Sequence, residues 1–211
     1  VAAFVHAETA TGARSDVKTL TEIAHAHGAL VIVDAVTSLG GIELRVDDWG
    51  IDAIYSGSQK CLSCTPGLSP VSFGPRAQEH ILARKSKIQS WFLDQTLVMG
   101  YWGNGGGKRA YHHTAPINAL YGLHEALVLL QEEGLENSWS RHQFNHNALK
   151  AGLEAMGLEL PVDPSCRLPQ LNVVTIPEGI DDAAVRTALL TEYSLEIGAG
   201  LGAGAGKVWR I

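Results

Sequence analysis

Two side chains hold ionisable groups where the chain pattern would place chemistry. Asp34 closes the apolar run Ala29-Leu30-Val31-Ile32-Val33, and Lys60 ends the segment Tyr55-Ser56-Gly57-Ser58-Gln59-Lys60, which begins within a second short strand-like run. A run that is apolar on both faces suits a strand of a parallel sheet covered by helices on each side. Residues leaving the carboxyl edge of such a sheet enter the crevice where open α/β folds place their ligands. A carboxylate and a lysine amine at that edge meet the needs of pyridoxal phosphate catalysis. The amine forms a Schiff base with the aldehyde, while the carboxylate faces the pyridine nitrogen and keeps it protonated. A protonated ring is the better electron sink for the charge that develops at a substrate α-carbon. Small residues beside Lys60 leave its amine room to depart and return. Spacing alone favours a plainer reading, an aspartate in a turn and a lysine in solvent.

The elements that must position this pair alternate along the first half of the chain. Val1 to His6 is an apolar run, and Glu8-Thr9-Ala10-Thr11-Gly12 reads as a turn. Ser15 is the expected cap of a helix whose Val17, Leu20, Ile23 and Ala24 share one face, and Gly28 ends it. Ile51 to Ser56 and Ser69 to Phe73 read as further strands. This βαβ order predicts an α/β fold with a mostly parallel sheet. From Ala115 the pattern changes. A helix to Glu133 has Leu120, Leu123, Leu127 and Leu130 at helical spacing, and a second runs from Leu135 to Met156 with Trp139, Phe144, Leu149 and Leu153 along it. After the proline-bearing stretch Pro161 to Pro169, Gln170 to Ile176 reads as a strand. Asp181 or Asp182 caps a helix to Tyr193, and Ser194 to Ile197 reads as another strand. We therefore expect a larger domain over 1–133 and the first part of a smaller α+β domain over 134–211.

Composition narrows the class. The 211 residues are 45% hydrophobic and 18% charged, an ordinary globular balance. Lys+Arg 16 against Asp+Glu 22 gives a net charge of -6, which argues against a nucleic-acid partner. No apolar run approaches the roughly 20 residues that span a bilayer. Three cysteines, an odd number, do not form a disulfide scaffold and suit a reducing compartment. The chain opens on the apolar Val1 to Val5 without a Met and stops within Val208-Trp209-Arg210-Ile211, so an internal fragment is expected. A missing leader then says little about location; the cytoplasm is the expected compartment, or the peroxisome or mitochondrion in a eukaryote.

Several linked segments resemble the class V aminotransferases, most nearly the alanine–glyoxylate and serine–pyruvate group. They are HAETATG (His6 to Gly12), VDAVTSLGG (Val33 to Gly41) and YSGSQK (Tyr55 to Lys60), extended by RAYHHTAP (Arg109 to Pro116), EEGLENSW (Glu132 to Trp139) and GKVWRI (Gly206 to Ile211). The resemblance covers essentially the whole chain. It implies the pyridoxal-phosphate-dependent transferase fold (fold type I, aspartate-aminotransferase-like), with a large cofactor-binding domain, a smaller C-terminal one and a homodimer with sites at the subunit interface. It also implies roles. Lys60 matches the Schiff-base lysine and proton carrier, and Asp34 the partner of the pyridine nitrogen. Val36 matches the apolar residue on one ring face, Thr9 a hydroxyl near the phenolic oxygen and Gln59 a phosphate contact. Tyr111 and Thr114 match residues that reach the neighbouring subunit's phosphate. Arg210 matches the fork-shaped cation that grips a substrate carboxylate. The family's phosphate loop, the aromatic on the other ring face and the residues that complete the small domain have no counterpart here. This stretch alone is expected neither to hold the cofactor tightly nor to turn over.

Other features have plainer readings. Cys61-Leu62-Ser63-Cys64 has the C-x-x-C spacing of redox or metal sites but no second pair. His142 and His146 share a helical face without further zinc ligands, so a solvated face is expected and no metal. His112-His113 is expected to shape a dimer contact. Gly198 to Gly206 fits no phosphate-loop register and reads as a flexible loop before the Arg210 strand.

The function expected is transfer of an amino group from L-alanine or L-serine to glyoxylate or pyruvate. Alternatives are (S)-ureidoglycine–glyoxylate or serine–glyoxylate transfer, or a truncated product without catalysis. A desulfurase is disfavoured because no mobile cysteine loop can be placed.

Overall fold

The computed structural model describes residues 1–103 and 110–211. Strand β1 (Ala2–Val5) leads into a small antiparallel hairpin, β2 (Ala7–Glu8) and β3 (Ala13–Arg14). Gly12 turns the hairpin at φ +73, and a Cβ there would meet Val173 at 2.8 Å, so both conformation and space require glycine. Helix α1 (Val17–Ala26) follows, then strands β4 (Val31–Asp34), β5 (Ala53–Tyr55) and β6 (Val71–Phe73). These form a sheet of order β1-β4-β5-β6, parallel across β1, β4 and β5, with β6 antiparallel at one edge. The mainly parallel sheet is as the sequence pattern expects. Val31, Val33, Ala35, Ile51 and Ile54 are buried around it, packed with Val17 and Ala24 of α1.

The cap of α1 differs from expectation. Asp16, not Ser15, accepts the Thr19 amide, at 3.1 Å. Its carboxylate is the stronger acceptor for an unpaired helical N–H, and the helix starts one residue later. The buried face is Val17, Thr21 and Ala24, whereas Leu20 and Ile23 are exposed.

Helices α2 (Pro75–Leu82) and α3 (Gln95–Trp102) lie beyond the elements expected from sequence; α2 starts with proline in its first turn, and Asp94 caps α3. Helix α4 (Ile117–Glu133) and helix α5 (Leu135–Ala155) are separated by Gly134 at φ +86. After a 3-10 turn at Pro164–Cys166 come β7 (Val173–Thr175), α6 (Asp182–Tyr193) with Asp181 as its cap, β8 (Gly198–Ala199) and β9 (Val208–Arg210). These three strands form an antiparallel sheet of order β7-β9-β8. Ser194 to Ile197 forms no strand. Ser194 closes α6 in the left-handed region at φ +53, and pairing starts only at Gly198, in the glycine-rich stretch expected to be loop. No described helix is long and apolar enough to cross a membrane.

The first half of the chain is tied to the second by hydrogen bonds from side chain and backbone. Ser138 of α5 donates to the buried Gly40 carbonyl at 2.7 Å, and the Leu168 amide donates to Gly12 at 3.0 Å. His146 is buried rather than solvated, bonded to the Asn172 carboxamide. Asn172 in turn exchanges both backbone hydrogen bonds with Ile211.

His6, immediately after β1, is 2% exposed and lies edge-on to Trp49 at 5.9 Å. Burial first, then the nearby Arg14 charge, lower its pKa from 6.5 to about 4. The unfolded chain therefore takes up a proton that the folded chain refuses between those values. Stability is fully present above pH 6.5 and falls toward pH 4 by about 3 kcal/mol from this group. Urea unfolding at pH 7, 5.5 and 4 should show a steeper acid loss in the wild-type chain than in His6→Gln. Equal losses would contradict the assignment.

Candidate cofactor site at the carboxyl edge of the sheet

Asp34 is the last residue of β4, with Val5 of β1 and Tyr55 of β5 as its strand partners. One carboxylate oxygen, Oδ1, accepts the Val36 amide at 2.9 Å, closing the local turn that redirects the chain. The other, Oδ2, accepts the Tyr55 hydroxyl at 2.8 Å. That hydrogen bond, with some burial and the carboxylate's charge, raises the Tyr55 phenol above its ordinary pKa. The backbone beneath is fixed as well. The Ala35 amide donates to Tyr55, and the Ser56 hydroxyl donates to the Ala35 carbonyl, both at 2.9 Å. Each carboxylate oxygen keeps a second lone pair for a further donor.

The segment after β5 is held equally firmly. The Ser56 and Ser58 amides donate to Pro70 and Leu68 at 2.8 and 3.1 Å. The fully buried Ser58 hydroxyl reaches the Thr65 carbonyl at 2.6 Å. A turn closed from the Ser63 amide to the Lys60 carbonyl, at 2.9 Å, then leaves the Lys60 side chain exposed on an anchored loop. Gly57 is where two predicted contacts meet. A Cβ on it would lie 2.8 Å from Gln59 Oε1 and 3.3 Å from Val36 Cγ1, so its missing side chain is what lets Gln59 and Val36 close over this spot.

Thr9 comes from the hairpin turn and joins the same cluster. Its hydroxyl lies 2.8 Å from that of Thr37, three residues beyond Asp34. Thus Thr9, Asp34, Val36, Gln59 and the loop bearing Lys60 form one contiguous group at the carboxyl edge of the parallel strands. The other three predicted residues lie apart. Tyr111 and Thr114 are exposed and hydrogen-bonded to one another. Arg210, on β9, donates through Nε to the Ala199 carbonyl at 2.8 Å, its guanidinium beside Gly198. Among the described residues no hydrogen bond links these three to the Asp34 group. Arg109, from the same motif as Tyr111, lies outside the described residues. Tyr55 and Thr37 have no role assigned from sequence, since only the strand register and the fold of the hairpin bring them to Asp34 and Thr9.

The geometry fits pyridoxal phosphate. An anchored carboxylate retains free lone pairs for a ring N–H, an exposed amine stands on a rigid loop, and a side-chain-free cradle at Gly57 is bounded by an apolar group and a carboxamide. A separate cavity of about 620 Å³, lined by residues including His6, Arg14, Lys18 and Trp49, contains neither Asp34 nor Lys60. The cysteines are free, and Cys61 donates to the Thr37 carbonyl at 3.5 Å while burial raises its thiol pKa. His112 is buried and stacked on Trp91 at 4.2 Å. No group of three or more metal-ligating side chains occurs among the described residues.

The family model "Aminotransferase class-V" matches residues 1–205. The chain belongs to the class V aminotransferase family. It is 43% identical to the alanine–glyoxylate aminotransferase of Callithrix jacchus over 209 residues, 99% of this chain and 50% of that protein. It is 40% identical to the (S)-ureidoglycine–glyoxylate transaminase of Bacillus subtilis over 229 residues, covering 100% of this chain and 54% of the relative. The crystal structure of a Nostoc alanine–glyoxylate aminotransferase superposes with a TM-score of 0.93 at 50% identity, over 99% of this chain and 54% of that one. The chain thus spans about half the length of these class V relatives. Its fold is the fold type I of pyridoxal-phosphate-dependent aminotransferases, as the sequence resemblance implies.

The Asp34–Tyr55 contact makes a direct prediction. Replacing Asp34 by Asn removes the charge that resists phenolate formation, so the Tyr55 titration should move down toward the ordinary value of about 10. Ultraviolet titration of Asp34→Asn against wild type, with Tyr55→Phe to identify the signal, would show this. An unshifted Tyr55 midpoint would refute the contact.

Proposed function

We propose that this chain carries half of the machinery of an aminotransferase. The enzyme would move the amino group of L-alanine or L-serine to glyoxylate or pyruvate, with pyridoxal phosphate bound to Lys60. The observation that carries this reading is the convergence of Asp34, Val36, Gln59 and the Lys60 loop on one sheet edge, in a class V family member. Pyridoxal phosphate, when bound, supplies the electron sink for charge developing at the substrate α-carbon.

This chain's residues do the remaining work. Lys60 would hold the cofactor covalently, and its amine would carry the proton to and from the substrate α-carbon. Asp34 holds a proton on the ring nitrogen, which its Val36 and Tyr55 hydrogen bonds aim and fix. Val36 would pack against one ring face, Thr9 would donate to the phenolic oxygen and Gln59 to the phosphate. Arg210 grips the substrate carboxylate with a bidentate fork. Tyr111 and Thr114 reach the phosphate of a neighbouring subunit in a homodimer, consistent with their exposure away from the Asp34 group. Residues 1–133 would belong to the large cofactor-binding domain and 134–211 to the start of the small one. Similarity to the B. subtilis transaminase, nearly equal to that toward the alanine–glyoxylate enzymes, favours ureidoglycine as the second donor to test.

Reduction of the loaded full-length protein with borohydride, followed by peptide mass analysis, tests the role of Lys60. The wild-type protein should carry a cofactor-sized adduct on the peptide holding Lys60. Lys60→Ala should carry none while unfolding within about 1 kcal/mol of wild type, because the side chain is exposed. An adduct on another lysine, or one persisting in Lys60→Ala, would overturn the assignment.

A further inference from the structure

We infer that Thr37 is a positioning residue that orients the Thr9 proton toward the cofactor's phenolic oxygen. The inference rests on the function proposed above and adds a residue to it. Thr37 is 7% exposed, and its hydroxyl lies 2.8 Å from the Thr9 hydroxyl. A hydroxyl carries one proton and two acceptor lone pairs, so only one proton can lie between the two oxygens. If Thr9 gave its proton to Thr37, it would offer a ring oxygen nothing but lone pairs. If Thr37 donates instead, the Thr9 proton points outward, free for a ligand. An anionic oxygen is a stronger acceptor than a neutral hydroxyl, so a charged phenolic oxygen selects the second arrangement. The two hydroxyls then form a chain, Thr37 to Thr9 to ring oxygen, in which each bond polarises the next.

Thr37 is built to stay in place. Its carbonyl accepts the Gln170 carboxamide N–H at 2.9 Å and the Cys61 thiol at 3.5 Å. The fully buried Ser38 follows it, with an amide bonded back to Ala35 at 3.2 Å. A β-branched side chain on so fixed a backbone has few χ1 choices. Gln170 precedes β7 and anchors this turn from the far side of the chain. The sequence marks none of this, since Thr37 and Thr9 are 28 positions apart and meet only through the hairpin.

Donation to the phenolic oxygen draws off charge that would otherwise help retain a proton on the Lys60 nitrogen joined to the cofactor. Losing the Thr37 hydroxyl should therefore raise the pH midpoint of the loaded protein's visible absorbance. Thr9 keeps its own donation in such a variant and loses only the polarisation by Thr37, roughly 10–30% of a charge-assisted hydrogen bond, so the expected rise is about a few tenths of a pH unit. The test is a spectrophotometric pH titration of the full-length holoenzyme as wild type, Thr37→Val, Thr37→Ala and Thr37→Ser, with thermal melts of each. The expected result is a raised midpoint in Thr37→Val and Thr37→Ala and a wild-type midpoint in Thr37→Ser, which keeps the hydroxyl. Thr37→Ala keeps the test open should valine prevent folding. A packing role alone would lower the melting temperature and leave the midpoint unmoved, and that result overturns the inference, as does a Thr37→Ser shift equal to that of Thr37→Ala. A wild-type protein without visible absorbance overturns the proposed function itself, and the inference with it.

Discussion

The structure depends on holding one carboxylate, Asp34, at the end of a buried strand with its oxygens directed outward. A charge there is costly unless hydrogen-bonded, and the fold supplies the Val36 amide on one oxygen and the Tyr55 hydroxyl on the other. The parallel register makes this possible. It sets Asp34 beside Tyr55, the last residue of the next strand, so both chains leave the sheet together. The path out of each strand is then constrained. The turn after Asp34 presents Val36 and the loop after Tyr55 presents Gln59 around the space that a side chain on Gly57 would fill, with the exposed Lys60 next in the chain. Anchoring precedes chemistry, because a carboxylate aimed by fixed partners needs little reorganisation when charge develops nearby.

Side chains from α5, from the segment before β7 and from the Lys60 loop support the turn that follows Asp34. Gln170 and Cys61 both donate to the Thr37 carbonyl, and Ser138 donates to Gly40 a few residues on. The Gln170 and Ser138 bonds are each worth about 1 kcal/mol in net stability and the longer thiol contact less, but removing a donor from a buried acceptor costs more than the bond itself contributes. These polar links thus fix the turn after Asp34 against α5, the Lys60 loop and the segment before β7 more closely than apolar packing alone would. On the far side of β9, the His146–Asn172–Ile211 chain holds the strand that carries Arg210.

Much of this is legible in the chain. The unbroken apolar run before Asp34 specifies a strand covered on both faces, the shorter Ala53-Ile54-Tyr55 run a second strand, and their order with the helices gives the α/β class. The carboxyl-edge rule then places Asp34 and Lys60 before any geometry is known. Helices α4 to α6 are legible from local signals as well: the leucine spacing of α4, the Gly134 break, the apolar series along α5 and the aspartate cap of α6. Non-local choices are not. The α1 cap falls on Asp16, whose carboxylate takes the Thr19 amide, although the sequence offers Ser15 one position earlier, and Leu20 and Ile23 are exposed because tertiary packing picks a different face. His146 is buried because Asn172, 26 residues on, folds back onto it. Tyr55 and Thr37 enter the site only through register and through the hairpin.

The most direct test of the central claim is the visible absorption spectrum of the full-length protein loaded with pyridoxal phosphate, recorded before and after L-alanine and again after glyoxylate. The account predicts an absorption near the violet edge that fades with the amino donor and returns with the oxo acid, both half-reactions in one cuvette. A loaded protein whose spectrum ignores alanine, serine and ureidoglycine alike would contradict amino transfer at the Asp34–Lys60 edge.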